Sequence, residues 1–141
     1  MVFTISYKEH MVGIEITEFQ KEGYKPLVDF KAWRVAVLRY CDDLKLENIH
    51  TMQKHMLTDE VFVLLEGSCS LFSAGSEKEP DNFEKLVMEK HKIYVVKKGV
   101  WHNHIMSEDG AVLIVENRNT SDENSPIWEL DSQEIGIIRT L

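Results

Sequence analysis

The sequence has little cysteine. Cys41 and Cys69 are its only two, too few and too irregularly placed for a disulfide framework or a paired-cysteine metal clip. Each reads as a small apolar filler. Long hydrophobic runs are also missing, and nothing approaches the ~20 apolar residues needed to cross a bilayer. The opening MVFTISYKEH has no basic region ahead of an apolar run, so no signal peptide is expected and the cytoplasm is the expected location. There is no excess of positive charge. Against 24 Asp and Glu stand 16 Lys and Arg, a formal charge of −8, which disfavours nucleic acid and anionic membrane as partners because both need a basic face. Internal repeats, low-complexity tracts and linkers are absent too. The 141 residues are therefore expected to form one domain, 1–141.

What is present is a series of short runs rich in Val, Ile, Leu and aromatics, broken by Asp, Asn and Gly at turns. That pattern predicts an all-β sandwich or barrel. Strands are expected over 12–19, 33–40, 48–56, 60–66, 68–73, 92–96, 100–106 and 111–116, with a further strand over 134–139. The segment 82–91 carries Phe83, Leu86 and Val87 at helical spacing, yet it sits where a barrel needs a strand and is read as one.

Chemistry-bearing residues gather in two stretches. The first is Q-K-H-M-L-T-D-E-V-F-V-L-L-E-G, residues 53–67. Side chains alternate along a strand, so Gln53 and His55 share a face, and His50 falls on the other. A turn at Thr58-Asp59 is expected to return the chain so that Glu60 faces His55. The second stretch is K-K-G-V-W-H-N-H, in which His102 follows the turn glycine Gly99 by three residues and His104 shares its face. Singly, each histidine reads equally as a packed or surface residue. Jointly, two imidazoles, a carboxylate and an amide oxygen suit a divalent first-row metal such as Mn, Fe, Ni or Zn. Gln53, His55, Glu60 and His102 are the expected ligands. His104 or Glu60 is the candidate to move a proton.

This joint pattern resembles the cupin family. His55, Glu60 and Gly67 match the spacing of the first cupin motif, with Gln53 in place of its first histidine. Gly99 and His102 match the second, with Lys97 in place of its proline and Met106 where asparagine is usual. Within cupins the sequence is most similar to ureidoglycolate lyase, through Arg39, Ile49-His50, His55, Val100-Trp101-His102 and the run Arg118, Ser121, Asp122. Asn103 departs from that family's pattern.

The resemblance implies an antiparallel cupin jelly-roll barrel holding one metal ion and a small acid substrate. It implies cleavage of a C–N bond with release of glyoxylate. Arg39 and Arg118 are the candidates to grip the substrate carboxylate with their planar forks. A homodimer is expected. Two other readings stand beside this one: a different metal-dependent cupin, such as a dioxygenase or sugar isomerase, and a non-catalytic cupin that binds a small molecule.

Overall fold

The computed structural model describes residues 13–141. Ten strands are present among them: β1 (Gly23–Phe30), β2 (Trp33–Arg39), β3 (Thr51–Gln53), β4 (Glu60–Glu66), β5 (Cys69–Ser73), β6 (Glu84–Val87), β7 (Tyr94–Val96), β8 (His102–Met106), β9 (Ala111–Asn117) and β10 (Ile127–Glu129). They form two antiparallel five-stranded sheets, ordered β1-β2-β9-β4-β7 and β10-β3-β8-β5-β6. One helix, α1 (Ser132–Arg139), follows β10. No helix among the described residues is long and apolar enough to cross a membrane.

Alternation builds the space between the sheets. Along β4, Glu60, Phe62 and Leu64 are buried, while Val61 and Val63 point the other way. Ala36, Leu38, Val112 and Ile114 join them from β2 and β9. Cys69, Leu71 and Met106 close the core from the opposite sheet. A second core lies on the outer face of that opposite sheet, where Ile138 of α1 packs with Met52, Phe72, Trp101 and Leu130.

The pattern-based strands over 33–73 and 92–116 hold, most with shorter ends; β10 was not expected, and three further expectations need correction. Val12 lies outside the described residues, and 13–19 contribute only an isolated bridge at Phe19. The first strand is instead Gly23–Phe30, which Pro26 disguises. Proline has no N–H for the ladder, and here it occupies an edge strand beside a register shift between Pro26 and Val28. The segment 134–139 is helix, not strand. Asp131 accepts from the Glu134 amide and Glu134 returns a bond to the Asp131 amide, a capping box that starts α1 and turns Ile135 and Ile138 onto the sheet. Of 82–91, only Glu84–Val87 is strand.

Candidate metal centre

His55, Glu60 and His102 meet between the sheets, all buried, with their nearest donor atoms within 4.8 Å of one another. They arrive by different routes. His102 opens β8, and in register it stands opposite Gln53 of β3. Glu60 opens β4, which belongs to the other sheet. The turn at Thr58-Asp59 therefore crosses between sheets and does not close a hairpin, a correction to the expected geometry. The convergence of His55 with Glu60 survives because the crossing brings the two inner faces together.

Two turns are tied to make this possible. Asp59 accepts from the Lys98 amide at 2.9 Å and pairs with the Lys97 ammonium at 2.8 Å. The Gly99 amide donates to the His55 carbonyl at 2.7 Å. The loop before His102 is thus fastened to the loop between His55 and Glu60. Gly67 closes β4 at φ +64°, where an added Cβ would lie 2.8 Å from the Gly110 backbone and 2.6 Å from the Asp109 and Ser107 side chains. Only glycine fits there.

The donor set fits a cation. His102 Nδ1 sits 2.9 Å from the Val100 carbonyl, which can only accept, so this nitrogen carries the proton. Nε2 lies 3.0 Å from Glu60 Oε1, where it is a lone pair free for a metal ion in the neutral ring and a donor to Glu60 when it too carries a proton. His55 Nε2 lies 3.2 Å from the same oxygen. Lone pairs and a carboxylate gathered at one point repel unless protons or a metal ion lie among them. His55 Nδ1 is fixed by the buried hydroxyl of Ser125 at 2.7 Å, a positioning contact from the loop after β9 that the sequence does not advertise.

Electrostatics follow the same geometry. Burial disfavours charge on Glu60, but hydrogen bonds from His102 and His55 outweigh it and hold the carboxyl well below its usual range. Burial likewise opposes charge on His55, and its bond to Glu60 prevails and raises it. His104 is different. Burial pushes it down to about 4, and its Nδ1 is sealed from solvent without a hydrogen-bond partner, so it is neutral at physiological pH. Its ring packs 5.7 Å from that of Phe62.

The cluster opens into a cavity of about 340 Å³ that Gln53 and His104 also line. Three further polar side chains stand there that sequence reasoning missed. Glu116 is buried, and the Tyr24 phenol donates to it at 2.6 Å. Burial and the nearby Glu60 charge push the Glu116 carboxyl up to about 7, and Tyr24 is raised by burial and by Glu116. Arg34 is the third, bonded to Asp29 at 2.9 Å. Strand alternation was the available signal for Arg34: it shares a face with the buried Ala36 and Leu38.

That same alternation removes Arg39 from the site. Its guanidinium is bound to the Phe19 carbonyl at 2.6 Å and to Glu66 at 3.3 Å, in a surface pocket at the opposite end of β2. Arg118 is also elsewhere, on an exposed loop 3.8 Å from Asp29, although its companions Ser121 and Asp122 do line the cavity. Neither arginine is placed to grip a substrate beside the histidines.

No protein-family model matches the chain, and no curated protein does. Solved structures do. One is WlaRA, a TDP-fucose-3,4-ketoisomerase from Campylobacter jejuni, 17% identical over 94% of this chain and 87% of that one, with a TM-score of 0.52. Another is PAC13 from Streptomyces with uridine, 9% identical over 92% and 88%, TM-score 0.53. A cupin-2 domain protein from Shewanella frigidimarina is 20% identical over 71% and 85%, TM-score 0.49. With two antiparallel sheets enclosing the residues of both motifs, the architecture is decided. The fold is the cupin jelly roll. At these identities the likeness speaks for the fold alone. Within this fold, the buried His55-Glu60-His102 cluster is a site able to hold a metal ion.

Proposed function

We propose that this cupin is a metal-dependent enzyme acting on a small hydroxy or carbonyl acid. The specific reaction we assign is cleavage of the C–N bond of ureidoglycolate, or a close relative, to glyoxylate and urea. One observation carries the reading: the His55-Glu60-His102 cluster and the Arg34 guanidinium face the same small cavity. A buried substrate carboxylate needs a cationic partner, and Arg34, whose Nε–Nη2 edge is bound to Asp29, offers its remaining guanidinium donors for it. The choice of ureidoglycolate rests on the sequence resemblance at Ile49-His50, His55 and Val100-Trp101-His102.

His55, Glu60 and His102, with the Gln53 amide, would hold the metal. When bound, it supplies Lewis acidity that makes a substrate hydroxyl easier to deprotonate. The remaining work belongs to the chain. Arg34 orients the carboxylate. Glu116, steadied by the Tyr24 phenol, accepts the hydroxyl proton as the carbonyl forms. The C–N bonding pair leaves on nitrogen, and Glu116 returns the proton to it, so the step is balanced without a further reagent. His104, held neutral, lines the cavity wall. Glu60 serves as ligand in preference to base, because its bonds to both histidines disfavour its protonation.

The test is glyoxylate release from ureidoglycolate by protein loaded with Mn, Fe, Ni or Zn. Release at the uncatalysed rate rejects the substrate. Oxygen consumption or turnover of a sugar would replace the lyase reading with another enzyme class, and saturable binding without turnover would make the cupin a binding module.

A further inference from the structure

Strand β1 breaks the alternation that a regular strand keeps, and it does so beside the cavity. In register, Tyr24 stands opposite Leu38 and Asp29 stands opposite Arg34. Arg34 and Leu38 are an even distance apart on β2 and share its inner face, so their partners on β1 share that face too. Yet Tyr24 and Asp29 are an odd distance apart on β1, which in a regular strand would turn Asp29 outward. The register shift between Pro26 and Val28 resolves the conflict. Leu27 has no partner on β2, and this bulge returns Asp29 to the inner face. Bulges recur next to binding sites, where they re-aim a side chain.

The re-aimed carboxylate has one main partner. Arg34 Nε donates to Asp29 Oδ1 at 2.9 Å, and Nη2 donates to Oδ2 at 3.5 Å. Arg118 is 3.8 Å from the same carboxylate and well exposed, too distant to take it from Arg34. A guanidinium carries five N–H donors in a rigid fork. With the Nε–Nη2 edge taken, the Nη1 donors and the outer Nη2 donor remain, a second fork at the end of the side chain. Arg34 lines the cavity with His55 and His102, whereas Asp29 does not. The carboxylate therefore stands behind the cation and leaves its front free.

We infer that Asp29 is a positioning residue: it closes one edge of the Arg34 guanidinium and presents the end-on fork to the carboxylate of the acid substrate. This rests on the assignment of Arg34 as the substrate's cationic partner. An arginine ordered beforehand spares the ligand the entropy of ordering it. The competing account is a simple staple between β1 and β2, which at this exposure contributes little to stability. The two accounts differ in sign. If Asp29 is only a staple, its removal takes a negative charge away from the neighbourhood of a bound anion and tightens binding. If it positions Arg34, its removal weakens binding.

The probe is glycolate, a small hydroxy acid, titrated calorimetrically into the Zn-loaded full chain. Asp29→Ala should bind it about 10-fold more weakly, the rotamer freedom of one long side chain that the ligand must then order itself. Val28→Asp with Asp29→Val keeps composition and net charge but moves the carboxylate to the outer face, opposite Val35, and should lose as much. Circular dichroism should show both variants folded. In both, the Arg34 Nε–H signal, assigned by its loss in Arg34→Met, should fall from an NMR order parameter of about 0.85 to below about 0.6 without any ligand. Equal or tighter glycolate binding by Asp29→Ala overturns the inference and leaves the role of Arg34 standing. So does an Arg34 Nε–H that is already mobile in the wild type. No glycolate binding by the wild type, or binding that Arg34→Met leaves unchanged, overturns the role of Arg34 and this inference with it.

Discussion

The backbone N–H of Gly99 donates to the carbonyl of His55 at 2.7 Å. This single bond joins the loop that delivers one histidine of the cluster to the strand end that delivers the other. Gly99 and His55 lie 44 residues apart in sequence, and the bond adds to the pairing of Gln53 with His102, which brings the same two segments together. A left-handed turn is needed to present that amide, and Gly99 has φ +82°.

Metal content reports on the cluster. Wild-type protein offered Mn, Fe, Ni or Zn should retain one equivalent by elemental analysis. His55→Ala with His102→Ala should retain none. Ser125→Ala removes the bond that orients His55, with a second one from the same hydroxyl to Asn124, and should weaken affinity about 10- to 100-fold. A full equivalent in the double variant would place the site elsewhere.

Arginine substitutions separate the cavity from the surface. Arg34→Met should weaken binding of the acid substrate by about 2–3 kcal/mol, roughly 30- to 150-fold in affinity, the cost of leaving a carboxylate unpaired. Arg39→Met should leave it unchanged, because its guanidinium serves Phe19 and Glu66. Isothermal titration calorimetry with the substrate or a non-cleavable acid analogue distinguishes them.

Proton transfer is assigned to Glu116. Glu116→Gln keeps the shape and the bond from Tyr24 but carries no titrating proton. It should lower kcat by about 10²- to 10⁴-fold with a much smaller change in KM. Equal loss in kcat for Glu116→Gln and His104→Gln would return the role to His104.

Two glycines should respond differently to alanine. Both have positive φ, a strain of about 1 kcal/mol for any other residue. At Gly99 an added Cβ meets open space, so Gly99→Ala should cost little beyond that. At Gly67 it collides with the Gly110 backbone and the cost should exceed about 3 kcal/mol. Thermal melts should show a Tm drop of a few degrees for the first and 10 °C or so for the second.

His104 governs part of the acid response. Its folded pKa of about 4 lies below its ordinary 6.5 because burial disfavours the charged ring, against the pull of the nearby Glu60 carboxylate. Above pH 6.5 both folded and unfolded forms are neutral and stability is unaffected. Between pH 6.5 and 4 the unfolded chain takes up a proton that the folded chain refuses, so up to about 3 kcal/mol is lost as pH falls. His104→Phe abolishes this and also removes an unpartnered buried nitrogen. In metal-free protein it should melt higher than wild type at pH 5, with a smaller difference at pH 8. An equal difference at both values would show that the buried ring does not titrate as described.

The sequence by itself determined most of the β architecture over residues 33–117, because alternation and turn residues are local signals. It also determined His55, Glu60 and His102 as a group, because their spacings to Gly67 and Gly99 match a joint pattern, and the crossing at Thr58-Asp59 and the loop at Gly99 aim them. Where a signal was local but masked, it failed: Pro26 hid β1, and isoleucines at 135 and 138 read as strand until the Asp131-Glu134 cap showed a helix. The choice between Arg34 and Arg39 needed the direction of β2 relative to the core, since an odd separation along a strand places the two on opposite faces. Tyr24, Glu116 and Ser125 could not be found at all from local pattern. They come from β1, from β9 and from the loop after β9, and only the stacking of two sheets brings them to one cavity. Strand spacing is read along the chain, but a site built across a sandwich is set by which sheet each strand joins, and pairing partners distant in sequence decide that.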